Sequence, residues 1–501
     1  MLPKFVTHLK DKIVLAWMMN VKLRKYKSKL SCRPSMSDIM TVLRSEHFDT
    51  KYYRHTYHVK YDDVTLAAYY TYIGYRMGDD PSPSFSGTAY YCRRPDVKKT
   101  GMNPLLHYEK YGSYECTMPM SVSEFESLRI VEEEIQEIEL LRKQKKTILL
   151  VSHEMSLTGA PRALLNMAVV LKDLGIHVVF ASFLPGDMEK EVRQKGLESR
   201  ILMMQCMETL PEYARMVKHY ISAFDAILLN TIVALPYVEF IKDISITKLC
   251  WIHDGSFGFS CSPFSSSFTV LYPLFDRIFV VGNYAKAIAC SYGSGNVEMY
   301  NLMYGIDDCT NMHGAREEEY DEKIVMVLAG TIEKRKGQDI LLDCLKLLSQ
   351  DTLSSIRIYV IGKAVDREIS YRLKTERFEC VEMIGGMLHE ELLDMFTKMD
   401  ILLCPSLDDP MPIVCTEAMM LSKPIIVSDH TGTASLIKEG ESGFVVQAGN
   451  PQSLANAIKI SVNNKEKLAA MGKQARTVFE QYFTNNIFRN QVKENVIRFL
   501  D

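Results

Sequence analysis

The sequence predicts an α/β protein in which two successive doubly wound domains follow a smaller, mainly α-helical N-terminal domain. Three observations carry this. Thr147-Ile-Leu-Leu-Val-Ser152 is an apolar run of strand length, followed by a glycine turn at Gly159, a helical stretch over 161–174 and a second apolar strand over 177–183. The same grammar restarts at Lys323-Ile-Val-Met-Val-Leu-Ala-Gly330, with Lys336-Gly337 before a helix beginning near Gln338. Later strands are expected at 356–361, 400–404, 424–427 and 443–446, so two βα arrays stand in series. Residues 1–120 lack this alternation and are rich in tyrosine.

Composition sets the class. With 501 residues, and about 100–200 residues per domain, two to four units are expected. A hydrophobic content of 47% and a charged content of 24% are those of a globular protein. The formal charge of −3 argues against a nucleic-acid partner, which calls for a strongly basic surface. The twelve cysteines include no C-x-x-C pair, and Cys250, Cys344 and Cys404 lie in apolar runs, so free buried thiols in a reducing cytoplasm are expected.

No apolar run approaches the roughly 20 residues that span a bilayer. In residues 9–29, Ile13-Val-Leu-Ala-Trp-Met-Met19 is flanked by lysines and by Arg24. The basic run that follows and the lack of a small-residue cleavage site argue against a signal peptide. Two readings fit the segment: a helix resting on an anionic membrane surface, and an amphipathic packing helix. The expected location is cytoplasmic, with peripheral contact at the inner face of the membrane under the first reading.

Along the chain, residues 1–120 form an accessory helical module with an internal repeat. Phe48, Tyr52-Tyr53, Tyr69-Tyr70 and Gly74 are echoed by Phe85, Tyr90-Tyr91, His107-Tyr108 and Gly112. Residues 121–146 read as one charged connecting helix. Ser123-Glu-Phe-Glu126 has the form of a capping box, Phe125, Leu128, Val131, Ile135 and Ile138 make the apolar stripe, and the basic residues 142–146 suit the C-terminus.

The most informative stretch is Asp409-Pro-Met-Pro-Ile-Val-Cys-Thr-Glu417. Pro410 and Pro412 keep a helix out of its first half, and Pro412 suits a first helical position, which puts Asp409 on a loop and Glu417 on the helix. The N–H groups of Ile413, Val414 and Cys415 would then be unpaired at a positive helix end that attracts phosphate, leaving the two acids free to accept hydrogen bonds from sugar hydroxyls. A nucleotide sugar offers both chemistries. The loop before the helix at Gly159 lets backbone approach a ligand, but it is not G-x-G-x-x-G, which argues against a dehydrogenase.

Residues 147–500 resemble the retaining nucleotide-sugar glycosyltransferases of family 4, which have the GT-B fold of two facing Rossmann-like domains. Four motifs carry the likeness, in the family's order and at its spacing: Ser152-His-Glu-Met-Ser-Leu-Thr-Gly-Ala-Pro161; Trp251-Ile-His-Asp254; Gly330-Thr-Ile-Glu-Lys-Arg-Lys-Gly-Gln338; and the Asp409 to Glu417 stretch with Pro424-Ile-Ile-Val and Gly440-Glu-Ser-Gly-Phe444. The second repeat of the front module, with Gly101-Met-Asn-Pro-Leu-Leu-His-Tyr108, resembles a short module of bacterial surface-polysaccharide glycosyltransferases.

The resemblance implies an acceptor-side domain over 147–310, a donor domain over 311–484 and a C-terminal helix over 485–501 that returns to the first. It implies that Lys336 and Arg335 neutralise the donor diphosphate, that Glu417 binds the ribose, that Asp409 (or its neighbour Asp408) holds the transferred sugar, and that His253 positions that sugar. Gly159, Pro412, Ile413 and Val414 complete the expected donor site.

No Asp-x-Asp triplet occurs in the chain, so a metal-independent reaction without a cofactor is expected, the cations and helix ends taking the charge. The implied activity is retaining transfer of a hexose-type sugar to a hydroxyl of a glycan, lipid-linked or protein-linked acceptor. The departing phosphate itself would take the proton. Thr331, Asp409 and Tyr304 depart from the family pattern, which keeps a second reading in view: a non-catalytic GT-B subunit that partners an active transferase.

Overall fold

Leucine-, isoleucine- and valine-rich runs bounded by turns form two sheets in this computed structural model, which describes residues 35–114, 119–208, 210–262, 267–293, 297–312 and 323–500. The basic segment at 9–29 lies outside the described residues, as does the change of domain at 311–322 apart from its first two residues. The first sheet contains β1 (Thr147–Ser152), β2 (His177–Ser182), β3 (Glu198–Ile201), β4 (Ala226–Asn230), β5 (Thr247–Ile252), β6 (Arg277–Val280) and β7 (Met299–Asn301), in the order β3-β2-β1-β4-β5-β6-β7. The second contains β8 (Ile324–Ala329), β9 (Ile356–Ile361), β10 (Val381–Ile384), β11 (Ile401–Cys404), β12 (Ile425–Ser428) and β13 (Gly443–Val446), in the order β10-β9-β8-β11-β12-β13.

Every strand pair from β2 to β7, and every pair of the second sheet, is parallel. Parallel strands covered on both faces have no wet side. β1, β2, β8 and β11 are accordingly buried throughout. In each sheet the strand order reverses beside the first strand, between β1 and β4 and between β8 and β11. Ligands of such sheets bind at that reversal, beyond the carboxyl ends of the strands.

By its internal packing the chain divides into two units. One holds the residues up to Ile135 together with Ile201–Tyr220, and the other holds Gln136–Arg200 and Ile221–Asp501, including both sheets. The first unit thus recruits a stretch that follows β3, which its sequence does not announce.

Within that first unit, short helices begin at side-chain caps: Ser35 accepts from Asp38, Asp49 from Lys51 and Tyr52, Asp62 from Thr65, Ser86 from Ala89, and Asn103 from Leu106. Its core is an aromatic ladder laid down twice. Phe48 lies 5.9 Å from Tyr53 and 5.6 Å from Tyr70, while Phe85 lies 5.4 Å from Tyr90 and 5.8 Å from Tyr108. A methyl group on Gly74 would meet the Tyr53 hydroxyl at 2.1 Å, and one on Gly112 the Tyr90 hydroxyl at 2.2 Å. Both halves therefore need glycine at the same place for the same steric reason.

The connecting segment differs from the expected single helix. Ser121, not Ser123, forms the capping box, exchanging bonds with Glu124 around the helix Val122–Ser127. A second helix, Glu132–Arg142, follows a break, and the Glu134 carboxylate accepts from Val131 N–H at its start. Ile130 is buried and Val131 exposed, because the break shifts the apolar stripe by one residue.

Candidate functional site

The geometry starts with a turn that only glycine permits. After β8 the chain makes a short 3-10 turn, Lys334–Lys336, and Gly337 takes φ +74°. A Cβ there would lie 2.2 Å from the Pro405 carbonyl oxygen beyond β11. The close approach lets Leu407 N–H donate to the Arg335 carbonyl at 2.7 Å and Arg335 Nη1 donate to the Asp408 carbonyl at 3.1 Å. Arg335 also pairs with Glu333 at 2.8 Å. Consequently Lys336 Nζ stands 2.6 Å from Asp409 Oδ2, with Arg335 Nη1 3.9 Å from the same oxygen.

Glu417 is also engaged. It is buried on the helix Ile413–Met420, where its Oε1 lies 2.6 Å from Nε2 of His389. His389 opens the helix His389–Lys398, and the bond to Glu417 holds its ring above the ordinary imidazole pKa, against partial burial. Both acids of the segment thus have cationic or donor partners here, in place of the free carboxylates expected from sequence. A buried carboxylate without a partner would be costly, which is the physical reason.

Pro412 sits one position earlier than expected, as the N-cap, and the Cys415 N–H is paired with the Pro412 carbonyl at 3.1 Å. Cys415 is thereby removed from the expected set of open donors. Ile413 Cδ1 lies 3.6 Å from where a Cβ on Gly159 would be. Gly159 begins the helix Gly159–Asp173, so the starts of two helices, one from each sheet, come close at Ile413. Both present positive ends, as an anion site requires.

His253 leaves the end of β5 with its ring 4.3 Å from Trp251. Burial, and then the neighbouring His153, push its pKa down to about 3, so the imidazole is neutral. Among the described residues its buried Nε2 has no hydrogen-bond partner, a state that a ligand hydroxyl would relieve. The adjacent Asp254 accepts from the Ile232 N–H at 2.9 Å, and burial raises its carboxyl to about 6.

Three further residues complete the site: Tyr284 and His389, which the sequence does not single out, and Tyr304, which it marks only as a departure from the family pattern. Tyr304 is buried, donates to the Met411 carbonyl at 3.0 Å and meets Thr416 Oγ1 at 3.2 Å, pinning the Asp409 to Glu417 segment from the first sheet's side. Tyr284 reaches Asp408 Oδ1 at 2.8 Å. His389 lies 28 positions before Glu417, and nothing in its local pattern marks it. Among the described residues no cluster of three His, Cys, Asp or Glu side chains is placed to hold a metal ion.

The last helix, Asn485–Asn495, closes the site's scaffold. Asn485 bonds Asp307, Asn166 donates to the Gly305 carbonyl at 2.6 Å and to Asn485 Oδ1 at 2.8 Å, and Phe488 stacks on Trp251 at 6.0 Å. No helix among the described residues is long and apolar enough to cross a membrane.

Comparison with known proteins agrees with this arrangement. The family model "Glycosyl-transferase family 4" matches residues 144–260, and "Glycosyl transferases group 1" matches residues 313–478. Spore coat protein SA of Bacillus subtilis is 27% identical over 183 residues, covering 34% of this chain and 48% of its own. The amylovoran biosynthesis glycosyltransferase AmsK of Erwinia amylovora is 25% identical over 174 residues, covering 32% and 42%. The match thus spans less than half the length of these relatives. The crystal structure of Anabaena HepE in complex with UDP and glucose superposes with a TM-score of 0.61 at 18% identity, covering 70% of this chain and 100% of that one. Two family models in sequence, over two parallel sheets of seven and six strands behind a helical region, make this chain a group 1, family 4 glycosyltransferase of the GT-B fold.

Proposed function

We propose that the chain transfers a hexose-type sugar from a nucleoside diphosphate sugar to a hydroxyl of a glycan, lipid-linked or protein-linked acceptor, with retention and without a metal, in the making of a surface polysaccharide or glycoconjugate. The observation that carries this is the pair Lys336–Asp409, 2.6 Å apart, on one segment with the buried Glu417, and the closely approaching helix starts at Gly159 and Ile413. Lys336 and Arg335 neutralise the diphosphate and its growing charge as the bond to the anomeric carbon breaks. Lys336 passes from Asp409 to the phosphate, which frees the carboxylate for the sugar's hydroxyls. Glu417, steadied at Oε1 by His389, turns its other oxygen to the ribose.

The neutral His253 offers Nε2 to the sugar beside the reacting carbon. A ring with so low a pKa does not carry the acceptor's proton at neutral pH, which leaves that proton to the departing phosphate oxygen on the same face. HepE, bound to UDP-glucose in another of its structures, supports a uridine donor and a glucosyl group as first choices for assay. AmsK supports a polysaccharide setting.

The test is calorimetry and turnover with UDP-glucose and other UDP-, GDP- and dTDP-sugars. Lys336→Ala and Glu417→Ala are each expected to lower turnover by roughly a hundredfold or more. Undiminished binding and turnover in both would refute the site. Tight donor binding with no transfer or hydrolysis would favour the non-catalytic subunit.

A further inference from the structure

Asp408 and Asp409 are adjacent, equally buried acids, yet their side chains serve different domains. The segment is extended, with Asp409 bridged to Thr431, and successive side chains of an extended chain point to opposite sides. Asp409 turns to Lys336 within its own domain. Asp408 turns to the domain of the first sheet, where Oδ1 accepts from Ser256 N–H at 3.1 Å and from the Tyr284 hydroxyl at 2.8 Å, and Oδ2 accepts from Phe257 N–H at 2.7 Å.

Those two N–H groups begin the helix Ser256–Cys261, whose own N-cap is Gly255 and which has no side-chain cap from its neighbours. Asp408 supplies the missing cap from the other domain. The approach is so close that a Cβ on Gly255 would stand 2.1 Å from Asp408 Oδ1. Glycine is needed there for space, since its φ of −103° suits any residue. Tyr284 continues across the same junction, its ring 6.1 Å from that of His430, whose Nδ1 lies 3.1 Å from the Leu407 carbonyl.

We propose that Asp408, with Tyr284 and Gly255, is an interdomain latch that sets the closed cleft and positions His253 against Asp409. His253 lies two residues before Gly255, and Asp409 lies one residue after Asp408. One carboxylate therefore fixes the distance between the two groups assigned to the transferred sugar. Asp408 acts here as a positioning residue, both its carboxylate oxygens being taken up by Ser256, Phe257 and Tyr284 of the first domain. A closed cleft excludes water, and an error of about 1 Å in placement costs on the order of a hundredfold in rate. The catalytic part of this inference rests on the proposed transferase reading; the latch itself rests only on the geometry.

The test uses the full chain with Asp408→Asn, Tyr284→Phe, Gly255→Ala and the Asp408→Asn/Tyr284→Phe double variant. Small-angle scattering without ligand is expected to show a larger radius of gyration for Asp408→Asn and for Gly255→Ala, which leaves the acid intact but denies it room. With UDP-glucose as probe, kcat/KM is expected to fall roughly ten- to hundredfold in both, while UDP affinity falls less, because Lys336, Arg335 and Glu417, which carry most of its expected contacts, all lie in the second domain.

The double variant is expected to be no worse than Asp408→Asn, since both changes break one device. Unchanged scattering in Asp408→Asn and Gly255→Ala overturns the latch. Additive losses in the double variant, with a matching fall in thermal stability, also overturn it in favour of a purely structural role. If the wild type neither binds UDP nor turns over UDP-glucose, the transferase reading fails while the scattering still decides the latch.

Discussion

Glu417 and His389 show what a single hydrogen bond does to an imidazole. The bond places a half-exposed imidazole against a buried carboxylate, and the ring's proton affinity rises, with Glu191 assisting and Arg162 opposing. Because the folded-state pKa lies above the ordinary value of about 6.5, the pair's stabilisation is complete below that value and is lost as pH rises through the folded-state pKa. NMR titration is expected to find His389 raised in the wild type and back near its ordinary value in Glu417→Gln. An unshifted wild-type ring would contradict the pairing. Residues of this kind mark the limit of sequence reading. Lys336, Asp409 and Glu417 are legible because proline, glycine and charge announce them locally. His389, Tyr284 and Tyr304 matter only through partners brought close by the fold, and the division of labour between Asp408 and Asp409 depends on which way each side chain turns.

At the scale of elements, the turn Lys334–Gly337 does for the donor domain what no side chain can. Its left-handed glycine allows backbone to touch backbone at Pro405, and that contact delivers Lys336 to Asp409. Gly337→Ala is expected to destabilise the protein by about 1–3 kcal/mol, since the methyl group meets a carbonyl as well as an unfavourable φ. Urea unfolding checks this, and a parallel loss of donor turnover is expected because Lys336 moves with the turn. The strands were readable because buried parallel strands are continuous apolar runs. The connecting segment was not: its capping residues compete, with Ser121 and Ser123 each three positions before a glutamate, and the local pattern does not distinguish them.

Across the whole molecule, the chain's order is not the order of its domains. The stretch Ile201–Tyr220 leaves the body of the first sheet for the helical unit, and the helix Asn485–Asn495 comes back from beyond the second sheet to the first. The fold class is legible from the repeated βα grammar, whereas the excursion is not, because amphipathic helices look alike whichever neighbour they pack on. Phe488→Ala is expected to cost about 3–5 kcal/mol, as for other fully buried phenylalanines. Denaturant unfolding monitored by tryptophan fluorescence is the suitable measurement, since Trp251 lies against that ring.

That stacking of Phe488 on Trp251 also bears on synthesis. A ribosome delivers β5 long before it delivers the helix that covers one face of its tryptophan. The nascent first domain therefore waits, with an uncovered aromatic surface, through translation of the entire second sheet. Slowing translation after β7 is expected to lengthen that interval, and to lower the yield of folded chain if the exposed surface is prone to misassociation.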